Sequence, residues 1–305
     1  MRNRIPPSRE ELEAYIREHR NWARWGDENQ AGAMNLITPD KRIEAASLVK
    51  AGRSVSLAHP LPVRPAANNP EPVQHFTESH PMPDAGGVAV DYIGIHQHGF
   101  TVTHLDALCH AWDKNGMWGG KNPQQELTYD GSRTGSVEHW RSGFMTRAVF
   151  LNVPKFRNTP YVTNDAPVHG WELEDIVKEQ GVEIRPGDAV VLYSGLEAYS
   201  RDYGPYGREG TNFPGIHASC LPFIRDRDIA LWCWDMTEMI PNGYGLAWSI
   251  HSVLFAFGVG LVDNACLEPL AQVCEEEGRF EFMLTVNPLV IVGGTGSPVN
   301  PVAVF

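Results

Sequence analysis

The chain has 305 residues, of which 42% are hydrophobic and 20% charged. That composition supports a buried core and excludes a disordered segment. The formal charge of −12, from 25 basic and 37 acidic residues, repels phosphate backbones and argues against nucleic acid and anionic membranes as partners.

Taken in chain order, the first helix is announced by Ser8-Arg9-Glu10-Glu11, a capping box behind Pro6 and Pro7, and should run to about Arg20. Trp22 to Asn35 is rich in Gly, Asn and Asp and reads as an aromatic-anchored loop. Thr38-Pro39-Asp40 opens a second helix that Gly52 stops. Residues 60–87 hold many prolines and read as a long loop or arm. Val88 to Ala107 reads as strand, broken around His98-Gly99.

Downstream, a helix is expected over Trp171 to Glu179 and a strand over Ala189 to Tyr193, behind the turn Arg185-Pro-Gly-Asp188. Ser219 to Arg225 should be a short helix, Ile229 to Trp234 a strand, Ile250 to Phe257 helical, Val259 to Val262 a strand and Cys266 to Glu276 a helix. Phe280 to Val292 reads as one or two strands, closed by Gly293-Gly-Thr-Gly296. The mixture predicts one α/β domain over residues 1–305. Residues 1–87 form N-terminal helices and a proline-rich arm, and 88–305 the core that carries the chemistry.

Five cysteines, Cys109, Cys220, Cys233, Cys266 and Cys274, form no C-x-x-C pair. An odd set of this kind reads as reduced thiols in the cytoplasm. The N-terminus shows no apolar signal region, and the apolar run Val253 to Val262 is shorter than the roughly 20 residues a membrane span needs.

The chemistry concentrates in His96-Gln-His98-Gly-Phe100-Thr-Val-Thr-His104-Leu-Asp106-Ala-Leu-Cys-His110, which holds four of the twelve histidines. His104 and Asp106 are two apart, so on a strand they project from one face. Imidazole nitrogen and carboxylate oxygen so placed suit a borderline divalent metal such as Zn or Mn. His98 can join them only if the chain bends, since six extended residues cover roughly 20 Å; Gly99 is where it can. His110 is close enough to act as a base or a ligand. His251 and Asp263, twelve apart, are a second constellation, and Asp235 ends an apolar strand. Among the scattered histidines His217 stands out, because Phe213-Pro-Gly-Ile-His217 is a rigid turn into a helix.

At these residues the chain resembles the cyclase family of metal-dependent hydrolases, which includes kynurenine formamidase and isatin hydrolase. Thr103-His104-Leu-Asp106-Ala-Leu-Cys-His110 matches the second half of the signature H-x-G-T-H-x-D-x-P-x-H. Trp25-Gly-Asp-Glu-Asn-Gln-Ala-Gly-Ala-Met-Asn35, Arg185-Pro-Gly-Asp188, Phe213-Pro-Gly215, Asp235, His251 and Gly293-Gly-Thr-Gly-Ser-Pro298 follow in familiar order.

The resemblance implies the swivelling β/β/α form of the α/β class, with an irregular N-terminal arm. It implies metal ligands at His98, His104, Asp106, His251 and Asp263, with His110 as the catalytic histidine. Phe100 stands where the family has its first histidine, so that role shifts to His98. Leu108 replaces the family's proline, and Asp263 a glutamate. With this shorter acid, one firmly held ion of one or two is expected, His251 close to it and Asp263 in support. Phe100, Trp112 and His217 are the candidate substrate contacts.

The implied reaction is hydrolysis of an amide-type C–N bond in a small aromatic or cyclic substrate, of the arylformamidase class. Metal-activated water would attack and His110 would shuttle the proton. Hydrolysis of a cyclic amide or lactone is the alternative. Phe100 motivates a further one, a binder without catalysis. A homo-dimer or homo-tetramer is implied, with the arm or the tryptophan loop crossing to a neighbouring subunit.

Overall fold

Ser8 Oγ accepts from Glu11 N and Glu11 returns a bond to Ser8 N, so the capping box starts the helix Arg9–Glu18. Thr38 caps the helix Pro39–Ser47 in the same way. These and the following details come from a computed structural model, which describes residues 4–208, 210 and 212–305.

The strands in chain order are β1 (Ser54–Ser56), β2 (Gln74–Met82), β3 (Gly86–Gly94), β4 (His104–Asp106), β5 (Leu127–Thr128), β6 (Gly131–Ser132) and β7 (Phe144–Asn152). They continue as β8 (Ala189–Tyr193), β9 (Leu231–Trp234), β10 (Gly260–Asp263), β11 (Glu281–Val286), β12 (Gly296–Pro298) and β13 (Val302–Val304). Among the described residues, nine of them form one sheet in the order β1-β13-β11-β7-β8-β9-β10-β4-β12. Pairs β7–β8, β8–β9 and β9–β10 are parallel, and every outer pair is antiparallel. The protein is thus α/β, with a mixed sheet.

Alternation along the central strands makes two cores. Val149, Leu151, Val190, Leu192, Trp232 and Trp234 face one hydrophobic cluster. Ala148, Phe150, Ala189, Val191, Leu231 and Cys233 face the other. Helices Gly170–Gln180 and Leu221–Asp226 cover the first through Leu173, Ile176, Leu221 and Ile224. Strands buried on both faces lose the polar alternation that marks a half-exposed strand. That is why residues 144–152 carry no strand signal of their own in the sequence. Each such apolar side chain contributes about 1.5–3 kcal/mol, and Phe150→Ala should cost roughly 3–5 kcal/mol.

The turn Arg185-Pro-Gly-Asp188 ends in a buried ion cluster. Asp188 meets Lys41 of the second helix and Arg147 of β7, and accepts from Arg185 N at 2.8 Å. The tryptophan loop is fastened to the helical turn before β10: Ala33 N donates to Gly258 O at 2.7 Å and Trp22 Nε1 to Phe255 O at 2.6 Å.

One expectation is corrected. The arm at 60–87 is not loop throughout, because β2 and β3 form a nine-residue antiparallel hairpin within and beyond it. Pro81 is tolerated because both strands have free outer edges. The strand expected over Val88 to Ala107 is broken around His98-Gly99 as expected, but the break is longer, since β3 stops at Gly94 and β4 starts at His104. The tail Phe280 to Val292 holds one strand, Glu281–Val286, within the one or two expected, and β12 and β13 lie beyond it. All five cysteines are unpaired. Among the described residues no helix is long and apolar enough to cross a membrane.

Candidate metal centre

Strand β4 is the spine of the site. It is flanked by β10 and β12, and its side chains His104 and Asp106 are fully buried on one face. Register then fixes their neighbours: Asp263 lies opposite His104, and Gly296 opposite Asp106.

His98 reaches them by the bend that sequence reasoning required. Gly99 has φ +143°, a conformation L side chains rarely adopt. His98 Nδ1 lies 2.8 Å from Asp106 Oδ1, and its Nε2 bonds Thr295 Oγ1 at 2.9 Å. A Cβ on Gly296 would stand 2.8 Å from the His98 ring, so that position must be glycine for the imidazole to fit. His104 Nδ1 donates to Val102 O at 2.8 Å, which leaves Nε2 3.3 Å from Asp106 Oδ1.

The other oxygen of Asp106 faces a second group. His251 Nε2 lies 3.7 Å from Asp106 Oδ2 and 3.5 Å from Asp263 Oδ2. Trp234 Nε1 donates to Asp263 Oδ1, which aims the remaining oxygen inward. Glu238 accepts from His251 Nδ1, which orients that ring. The donor atoms of His98, His104 and Asp106 lie within 4.8 Å of one another, as do those of Asp106, His251 and Asp263. Asp106 is common to both sets.

These residues fit a metal. Both oxygens of Asp106 and Nδ1 of His98 are buried, and none has a well-directed hydrogen bond. A buried carboxylate left so costs several kcal/mol unless a cation meets it. Without an ion, protons take that part. Burial alone would lower the His104 imidazole, but Asp106 raises it to about 9. Burial opposes ionisation of Asp106 too, yet His110 and His104 hold it well below the usual carboxylate range. Three imidazoles, two carboxylates and no sulfur suit Zn or Mn.

His110 sits at the rim. Its ring stacks on His98 with centroids 3.8 Å apart, and Nε2 lies 3.8 Å from Asp106 Oδ2. Burial pushes it down to about 4 against the pull of Asp106, so it is neutral at neutral pH. Cys109 beside it is buried and pushed up to about 12, mainly by that burial, and is no thiolate.

A cavity of about 460 Å³ adjoins the centre, lined among others by Trp112, Trp248, Arg17 and Lys114. None of the five donors lines it. Trp248 connects the two, with its ring 4.7 Å from that of His251.

The sequence candidates thus divide. His98, His104, Asp106, His251, Asp263 and His110 converge, and Trp112 stands at the cavity. Phe100 does not: it packs edge-on against Phe213 and Tyr206. His217 does not either, since its Nδ1 accepts from Ser219 N and caps a short helix. Asp235 accepts four backbone N–H bonds, from Ser194, Gly195, Leu196 and Met236, and is a capping group. Asp263, expected in support of the ion, has its carboxylate within 4.8 Å of the donor atoms of Asp106 and His251. Glu238, Thr295 and Trp234 were not singled out. The Phe213-Pro-Gly215 motif was the available signal for Glu238, since Ile216 bridges it directly.

The Cyclase family model ("Putative cyclase") matches residues 55–239, more than half of the chain. The chain belongs to the Cyclase family. The matched region includes His98, His104, Asp106, His110 and Glu238, while His251 and Asp263 follow it. A crystal structure described as a novel cyclase is 30% identical, with a TM-score of 0.84 over 95% of this chain and 99% of that one. An isatin hydrolase bound to the product analogue thioisatinate shares the fold at 18% identity and TM-score 0.57, over 85% of this chain and 93% of that one. Isatin hydrolase A from Ralstonia solanacearum does so at 18% and 0.57, over 82% and 91%. No curated protein matches the chain significantly.

Proposed function

We propose that this Cyclase-family protein is a metal-dependent hydrolase acting on an amide-type C–N bond of a small aromatic or cyclic substrate, as an arylformamidase does. The observation that carries the reading is Asp106, buried, with neither oxygen in a well-directed hydrogen bond, at the junction of two donor sets. A divalent cation bound there supplies charge to polarise a carbonyl and to lower the pKa of water.

The protein's own groups do the rest. His98, His104, Asp106, His251 and Asp263 hold the ion. Neutral His110 accepts the proton released on attack at its Nε2 and returns it to the leaving nitrogen. Trp112 and Trp248, both about half exposed, flank the entrance and offer aromatic faces to a ring-bearing substrate. The unpaired cysteines support a cytoplasmic location.

A second reading is supported by the shared fold with isatin hydrolase: opening of a cyclic amide by the same groups. Turnover of N-formylkynurenine, formanilide, isatin and a simple lactone by the Zn- or Mn-loaded protein separates them. Formate release from the first two is the expected result. Turnover of isatin alone favours ring opening. No turnover of any, with metal bound, overturns the enzyme reading in favour of a binder.

A further inference from the structure

We propose a second, separate metal site in which His59, Glu197 and Cys266 bind a zinc ion. This inference does not depend on the hydrolase reading, and it shares no residue with the donors around Asp106.

The backbone brings three distant segments together. Ala58 and Ala265 form an antiparallel bridge, and Cys266 N donates to Leu57 O at 2.8 Å. The His59 amide is pinned by Thr103 Oγ1 at 3.0 Å, and that hydroxyl in turn donates to Asn264 O at 2.6 Å. Glu197 lies in the first turn of the helix Leu196–Tyr203, whose start is held by Asp235. Glu197 Oε1 accepts from Leu267 N at 3.2 Å, which fixes the direction of the other oxygen.

The side chains converge on a gap. One donor atom from each of His59, Glu197 and Cys266 lies within 4.8 Å of the other two. His59 Nε2 and Glu197 Oε2 are both buried and have no hydrogen-bond partner. A histidine and a carboxylate this close would ordinarily satisfy each other, and each unsatisfied group costs about 1–3 kcal/mol. An ion between them satisfies both at once.

The donor chemistry selects the metal. One imidazole, one carboxylate and one thiolate suit zinc, at about 2.0–2.3 Å from each donor, and are too soft a set for Mg or Ca. Burial, and then Glu197, push the Cys266 thiol up to about 12. An arriving dication reverses that balance: the S–H proton leaves to solvent and the thiolate takes its place on the metal. Three protein ligands leave one tetrahedral position open. The cavity of about 570 Å³ lined by His59, Glu197, Phe100 and Tyr206 has room there for water. The ion would fasten the root of the proline-rich arm to the sheet.

Cobalt(II) replacement tests this. The full-length protein is stripped with a chelator and reloaded with Co²⁺. A thiolate-to-cobalt charge-transfer band in the near ultraviolet is expected, which the sulfur-free centre at Asp106 cannot produce. Cys266→Ser should lose the band, and zinc content should fall by one ion per chain. His59→Gln, a milder change checked by circular dichroism, should lose or weaken the band. His104→Ala should lose metal from the other centre and keep the band. Absence of the band in the wild type, its retention in Cys266→Ser, or unchanged zinc content in both variants would overturn the site. None of those results bears on hydrolysis at the Asp106 centre.

Discussion

Asp263 lies directly opposite His104 in the antiparallel pairing of β10 with β4. Residues so paired share a face with Cβ atoms about 4.5–5.5 Å apart. One register therefore carries a donor from residue 104 and one from residue 263 into the same space. A slip of β10 by one residue would turn Asp263 to the opposite face.

That pairing leads to a stoichiometry. With Asp106 common to two donor sets, the wild type should bind two ions per chain when saturated with Mn, which the thiol-bearing set at Cys266 does not select. Asp263→Asn keeps the size and removes the charge, and should bind one. Elemental analysis decides. Two ions retained in Asp263→Asn would return Asp263 to a supporting role.

His110 should be separable from metal binding. It stacks on His98 and belongs to neither donor set. His110→Ala should keep most of its metal and lose about 10²- to 10⁴-fold in turnover, the usual contribution of a general acid–base group. Metal lost together with activity would make it a ligand.

Glu238 orients His251 and also accepts from Ser249 N, Ser249 Oγ and Ile250 N, so it shapes the whole turn that presents the imidazole. Glu238→Gln should weaken metal affinity about 10- to 100-fold, the common effect of removing such an outer partner. Competitive titration with a chelating dye measures it. Unchanged affinity would mean that packing alone holds His251.

The hairpin β2–β3 is exposed along nearly its whole length, and Phe76, Val88, Val90, Tyr92 and Ile93 stand out from it. A lone two-stranded ribbon is marginal in water, and clustered apolar exposure marks an interface. We expect a homo-dimer or homo-tetramer in which this hairpin packs on a neighbour. Light scattering should give that mass for the wild type, and a smaller one for Val90→Asp combined with Ile93→Asp. A wild-type monomer at micromolar concentration would remove the idea.

Arg24 donates to both oxygens of Asp228, at 2.5 and 2.8 Å, and ties the tryptophan loop to the turn before β9. The Arg24 hydrogen bond holds Asp228 below its ordinary value, against partial burial. A folded pKa below the unfolded value of about 3.9 gives stability that is present above that pH and lost as pH falls through the folded value. The pair should contribute about 0–1 kcal/mol. Melting temperatures of wild type and Asp228→Asn should therefore differ slightly near about pH 7, and the gap should narrow as pH falls below about 3.9. An unchanged gap would assign the effect to something other than charge.

Local chemistry made much of this protein legible in its sequence. Capping at Ser8 and Thr38, the turn before Ala189 and the two-residue spacing of His104 and Asp106 all act within a few residues. The family motif extended that reach to His251 and Asp263. What local pattern could not decide was anything set by a distant partner. Strand β7 is buried on both faces, so its residues show no alternation. Strand β2 hides in proline-rich sequence because it pairs only with β3 and is not held by the main sheet. Glu238 lacks a signal of its own, since its role exists only when the Phe213-Pro-Gly215 turn lies beside it and His251 above it. The oxygens of Asp106 without a well-directed hydrogen bond, and the gap between His59, Glu197 and Cys266, likewise arise only when strands far apart in sequence are brought into register, because burial and hydrogen-bond satisfaction belong to the folded chain.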